Sequence, residues 1–283
     1  MYFSSFPQRM VNSFRIGLGG RMGRKLFFLH LPKCGGTSID EAFRSCYKTV
    51  DVRNDRFLPR HDSMAAAKAA NILYGMNYRE GDTNDITFLE FGVANLAYLM
   101  SQKKNKYISG HICFDERVCG QYDEEYDFIT MLRDPVKRWV SFYLYVRYRN
   151  SDRFVTDLPI EKYIKTEIGR SQGHQYVKYL GGIRNDNNYR VQEAINNAKE
   201  NLRKFRIVGC LEDLDRFIAR FQREYGRKLE ISFRNRSPAP EALQSKNLSK
   251  EILTEIADIC APDIEIYNHL RKHEADHCDV LGK

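Results

Sequence analysis

The sequence predicts an α/β fold with a largely parallel central sheet flanked by helices. Two observations carry that expectation. Short apolar, β-forming runs alternate with stretches of helical periodicity, and the turns between them hold a glycine pair or an Asp-Pro step that starts a helix. A third observation bounds the domain count. The 283 residues are 42% hydrophobic and contain no Pro/Gly/Ser-rich linker, internal repeat or low-complexity run, so residues 25–283 are expected to form one domain.

The apolar run at residues 25–31 reads as a short buried strand, followed by a helix over 37–47 with Ile39, Ala42, Phe43 and Cys46 on one face. A helix over 95–103 precedes a short strand at 106–109. Tyr126–Leu132 is a strand by its alternation and its β-formers. The next helix starts at Asp134-Pro135, an N-cap with proline at the first helical position, and Val136, Trp139, Val140 and Tyr143 form its apolar stripe. A long amphipathic helix over 191–204, a strand at 206–208, a helix at Leu214–Tyr225 and helices over 249–260 and 262–275 complete the order.

A formal net charge of +8 favours polyanionic partners: phosphorylated cofactors, acidic glycans or anionic lipid surfaces. Nucleic acid ranks low, because the lysines and arginines are dispersed and no zinc-finger spacing or RNP-type motif is present. Seven cysteines at irregular spacings suggest no disulfide framework and point to a reduced, cytoplasmic setting, and the expected lack of a membrane anchor suits a bacterial one. No apolar segment reaches the ~18–20 residues that span a bilayer. No signal-peptide core precedes the first strand. Residues 1–24 carry Arg9, Arg15, Arg21 and Arg24 with no acidic residue. They read as a basic, disordered or loosely docked arm, in preference to a membrane-touching or organelle-targeting leader.

Ligands of parallel α/β sheets lie beyond the carboxyl ends of the strands. Three features of the sequence fall there. In "LPKCGGTS", Gly35 and Gly36 let the backbone approach a ligand and the following helix offers unpaired N–H groups. Lys33 adds a charge, and Thr37 and Ser38 add hydroxyls. Both a phosphate cradle and a tight turn without a ligand fit this pattern, which is not a Walker A loop because the lysine precedes the glycines. In "LRDPVKRWVSFY", Arg133 ends a strand and Ser141 lies two helical turns on, a pairing that suits a second phosphate or, for Arg133, an ion pair with a carboxylate. In "YISGHICF", His111 follows a short strand, as a reactive group or as a structural histidine.

Together these residues resemble the sulfotransferases that use 3′-phosphoadenosine 5′-phosphosulfate (PAPS), whose P-loop-like, three-layer fold is thereby implied. "LPKCGGTS" is similar to their P-K-T-G-G-T-S loop, and "LRDPVKRWVSFY" to their R-D-P-x-x-R-x-x-S-x-Y motif. The Gly110-His111 pair between the motifs resembles the branch with the heparan sulfate and uronyl 2-O-sulfotransferases. "NNAKENLRKFRIVGCLEDLDRF" is similar to the family's later helix–strand–helix segment, so the likeness spans about residues 25–221.

The resemblance implies a PAPS-dependent enzyme that needs no metal and acts on a carbohydrate: an acidic polysaccharide, a lipid-linked saccharide or a small glycoside. Lys33, Cys34, Gly35, Gly36, Thr37 and Ser38 would hold the 5′-phosphosulfate, with Lys33 also stabilising charge on the leaving oxygen. Arg133 and Ser141 would bind the 3′-phosphate, Asn235 and Ser237 the adenosine end, and Arg147 and Arg153 the sugar. His111 would be the general base. Two departures stand out: Asn150 replaces an acidic residue, and Cys34 replaces threonine. A thiol beside Lys33 and the loop amides is expected to have a lowered pKa and to be reactive, with the nucleotide product PAP protecting it.

Three further signals read as structural. His269, His273 and His277, with Cys278, recur at helical spacing but fit a polar C-terminal helix better than a metal site. Asp123, Glu124 and Glu125 read as a solvated loop, and Glu90 as a satisfied carboxylate in core surroundings rather than an alternative base.

Overall fold

Strand β1, Lys25–Leu29, lies inside a four-stranded, all-parallel sheet ordered β2-β1-β3-β4, where β2 is Tyr107–Gly110, β3 Tyr126–Leu132 and β4 Ile207–Cys210. The computed structural model describes residues 23–47, 58–75, 86–148, 155–183, 188–232 and 248–279, the last seven by backbone alone. Leu26, Phe27, Phe28 and Leu29 are all essentially inaccessible although successive side chains face opposite ways. Both faces of the sheet are therefore covered at β1, which is why this strand reads as an apolar run.

The helices are α1 Gly36–Tyr47, α2 Ser63–Tyr74, α3 Ile86–Ser101, α4 Glu116–Tyr122, α5 Pro135–Tyr148, α6 Ile160–Tyr163, α7 Glu167–Ser171, α8 Gln175–Leu180, α9 Gln192–Leu202, α10 Leu214–Tyr225, α11 Lys250–Ile259 and α12 Ala261–Asp279. One core cluster surrounds the sheet, with Phe28, Phe43, Phe217 and Phe221 meeting on one side. A second joins α5 to α6 and α11 through Trp139, Tyr143, Tyr163 and Ile256. The indole of Trp139 donates to the Gly169 carbonyl at 2.7 Å, so its burial leaves no polar atom unpaired.

The predicted α5 start is present: the Asp134 carboxylate accepts the Lys137 N–H at 2.9 Å. Helix α3 begins at Ile86 rather than at residue 95. Leu89, Val93, Leu96 and Met100 are buried on a helical stripe in a segment whose aromatic and β-branched start masked its period. Helix α2 was not anticipated. Its buried face is Ala66, Ala67 and Ala70, which gives little periodic contrast, although Asp62 caps it by accepting from Met64 and Ala65 N–H. Among the described residues, no helix is long and apolar enough to cross a membrane.

The strand registers decide what meets at the carboxyl edge. Leu29 pairs with Gly110 on one side and Thr130 on the other, and Leu132 pairs with Cys210. His30, His111, Arg133 and Glu212 therefore follow the strands along one edge. The strand order reverses direction at β1/β3, a crevice where α/β sheets place ligands.

Candidate functional site

The turn after β1 has an unusual backbone. Lys33 has φ +66° and Gly35 φ +74°, while Cys34 between them has negative φ; Lys33 is the one non-glycine with positive φ among the described residues. A left-handed lysine costs roughly 1–3 kcal/mol, a strain that the surrounding fold must impose. Alternation of hand along successive residues turns their N–H groups toward one point, an anion-binding nest. Helix α1 continues from it with no acidic residue in its first turn, so no carboxylate of that turn competes with an anion there. Thr37 is exposed there and Ser38 buried.

The side chains of this turn diverge. The Lys33 ammonium lies 4.2 Å from the ring centroid of Tyr145 on α5, one helical turn beyond half-buried Ser141. The Lys33 carbonyl accepts from the Arg133 guanidinium at 3.3 Å, a neutral partner rather than a carboxylate. The turn, Arg133 and the Ser141/Tyr145 face thus adjoin one another.

Cys34 corrects the expectation of a reactive thiol. Its side chain is 0% exposed, donates to the Pro32 carbonyl at 3.6 Å and lies 3.5 Å from the Tyr176 hydroxyl. Burial pushes its pKa up to about 11, against the opposing hydrogen bond with Tyr176. Only the backbone of Cys34 can serve the cradle. In peptide mapping of the folded protein after brief alkylation, half-buried Cys46 is expected to be labelled before Cys34. Labelling of Cys34 first would contradict this placement.

Arg133 is fixed at its backbone. Its N–H donates to the Tyr176 hydroxyl at 2.9 Å, and that hydroxyl donates to the Arg133 carbonyl. The next residue is held too, since the Glu212 carboxylate beyond β4 accepts the Asp134 N–H at 3.1 and 3.2 Å and the Tyr267 hydroxyl at 3.0 Å.

His111 is half-buried beyond β2, and its Nδ1 bonds the His30 carbonyl. A carbonyl only accepts, so Nδ1 carries the proton of the neutral ring and Nε2 keeps its lone pair. Burial lowers the His111 pKa below the ordinary 6.5; the His30 carbonyl and Asp40 oppose the shift, and the Lys33 charge adds to it. The ring is therefore neutral at pH 7, with its basic nitrogen fixed.

Two further histidines, which the sequence reading did not single out, complete the cluster. The His30 ring lies 4.3 Å from that of His111, centroid to centroid, and against Gly36, where an added Cβ would fall 1.9 Å from His30 Cδ2. Burial, followed by repulsion from His111, holds His30 well below the usual histidine range. His61 packs on Gly110, with Nδ1 2.8 Å from the Asn95 amide, and burial pushes it down to about 4. Beneath them Asp40, 1% exposed, receives Arg44, Arg60 and the Tyr107 hydroxyl. Burial raises its pKa, but hydrogen bonds from Ser109 and Tyr107 and both arginines outweigh that and hold it below the usual carboxylate range. His30 was legible in principle: it ends a strand as His111 does.

Of the remaining expected site residues, the described one, Arg147, stands apart from this group. Arg147 pairs with the exposed Asp157 at 2.7 Å, at the end of α5. Arg153, Asn235 and Ser237 lie outside the described residues, as does Asn150. Glu90 is not in core surroundings but half-exposed, paired with Arg117 at 2.9 Å; it is satisfied as expected. Asp123, Glu124 and Glu125 are exposed before β3. The side chains of His273, His277 and Cys278 lie outside the described set. Among the described residues, no three or more His, Cys, Asp or Glu are placed to hold a metal ion. No protein-family model matches this chain, and no curated protein matches it.

Proposed function

We propose that this chain is a PAPS-dependent sulfotransferase of P-loop-like fold, acting on a hydroxyl of a carbohydrate acceptor. The observation that carries the reading is the contact chain along one sheet edge. The Lys33–Gly36 cradle touches Arg133 through the Lys33 carbonyl, and on its other side Gly36 abuts His30, whose carbonyl orients His111.

The residues fit such a ligand. The nest and the start of α1 suit the 5′-phosphosulfate. Arg133 and Ser141, beside the cradle, suit the 3′-phosphate. PAPS supplies an activated sulfuryl group. His111 Nε2 takes the proton of the acceptor hydroxyl as its oxygen bonds to sulfur. The Lys33 ammonium stabilises the charge that gathers on the phosphate oxygen as its bond to sulfur breaks. An acidic polysaccharide or a lipid-linked saccharide agrees with the net charge of +8, and a basic arm at residues 1–24 suits contact with an anionic membrane surface. Arg147 is paired with the exposed Asp157, a contact worth roughly 0–1 kcal/mol, so an acidic sugar can compete for it.

Thermal unfolding with added nucleotides tests the reading. PAP at a hundred times its Kd should stabilise the protein by about 2.7 kcal/mol, which raises Tm by on the order of 5 °C. ATP with magnesium should do far less. The reverse order would favour a kinase, and no shift with either a protein without this nucleotide site. Transfer of labelled sulfate from PAPS across glycan classes then identifies the acceptor.

A further inference from the structure

The phenol of Tyr176 stands where the two halves of the site meet, 43 residues from Arg133 and 142 from Cys34. It is 0% exposed. Its hydroxyl accepts the Arg133 N–H at 2.9 Å, donates to the Arg133 carbonyl and lies 3.5 Å from Cys34 Sγ. The residue that binds the end of β3 is thus also the one packed under the turn after β1. Tyr176 is itself held from behind. Asp263 on α12 accepts its N–H at 2.9 Å and that of Val177 at 3.2 Å, and the buried Arg138 guanidinium lies 5.9 Å from its ring centroid.

Resting on the nucleotide reading above, we propose that Tyr176 is a positioning residue that sets the spacing between the 5′ and 3′ phosphate sites. Its hydroxyl fixes Arg133 relative to the Lys33–Gly36 turn, so the two anion sites form one rigid pair before ligand arrives. A ligand with both phosphates gains from that preorganisation. One with the 5′-phosphate alone uses only the turn and does not.

Calorimetric titration of Tyr176→Phe with PAP and with 5′-AMP separates this role from a structural one. The wild type should prefer PAP strongly. In the variant, PAP affinity should fall by about tenfold, the scale of a buried hydrogen-bonding group left unpaired, while 5′-AMP affinity changes less than about twofold. Equal losses for both ligands, or none for either, overturn the proposal and leave the nucleotide reading standing. A wild type that binds both ligands equally removes the nucleotide reading, and this proposal with it. If Tyr176→Phe does not fold, Cys34→Ala breaks the junction from the turn side. The same selective loss for PAP, about threefold, is then expected, and an unselective one overturns the proposal.

Discussion

Replacement of His111 by alanine is expected to lower turnover by about 10²–10⁴, the range that a positioned general base contributes, while PAP affinity stays within about twofold. The reason is geometric. The ring binds the His30 carbonyl through Nδ1, presents Nε2 as its basic nitrogen, and makes no described contact with the Lys33–Gly36 turn that would hold phosphate. The pH dependence follows from the lowered pKa. Below it the imidazolium has no lone pair and the rate falls; above it the neutral ring is active. The acid limb of kcat/KM should therefore have its midpoint below the ordinary histidine value of 6.5 and be flat near neutrality. A variant that retains a tenth or more of the turnover, about 1.4 kcal/mol of barrier or less, would remove His111 as the base.

Gly36→Ala should be nearly as damaging, for a different reason. An added Cβ would lie 1.9 Å from His30 Cδ2 and 2.0 Å from Nε2, so the imidazole must move. That ring packs between Phe28 and His111, at 5.7 and 4.3 Å, and its own residue's carbonyl orients His111. Turnover is expected to drop by about 10², the loss that a misplacement near 1 Å can cause. A double-mutant cycle checks the cause. In a His30→Ala background the clash has no target, and Gly36→Ala should cost at least tenfold less than in the wild type, about 1.4 kcal/mol of coupling. Additive losses would place the damage in the α1 backbone instead.

Much of the fold was legible because its signals are local. Tyr126–Leu132 and Leu214–Tyr225 match the expected bounds, and the Asp134-Pro135 start is present with the expected cap. Helix α3 was cut short and α2 missed where uniform apolarity or an alanine face removed the periodic contrast on which such readings depend. For the site, the strand-end rule reached Lys33, Arg133 and His111 but passed over His30, His61 and Tyr176. Cys34 was read from its charged neighbours in the chain, whereas its side chain turns into the core.

By itself the sequence determined the alternation of strand and helix, the glycine turn with its lysine, and the strand ends that carry Arg133 and His111. These rest on backbone dihedrals, capping and periodicity, which contiguous residues encode. Only the tertiary structure decided which nitrogen of His111 is free, which way the Cys34 thiol points and what ties the turn to Arg133. Each depends on a partner distant in the chain: His30 for His111, 81 residues away, and Tyr176 for Cys34 and Arg133. Strand register and burial bring those groups within hydrogen-bond reach, and no local pattern announces them.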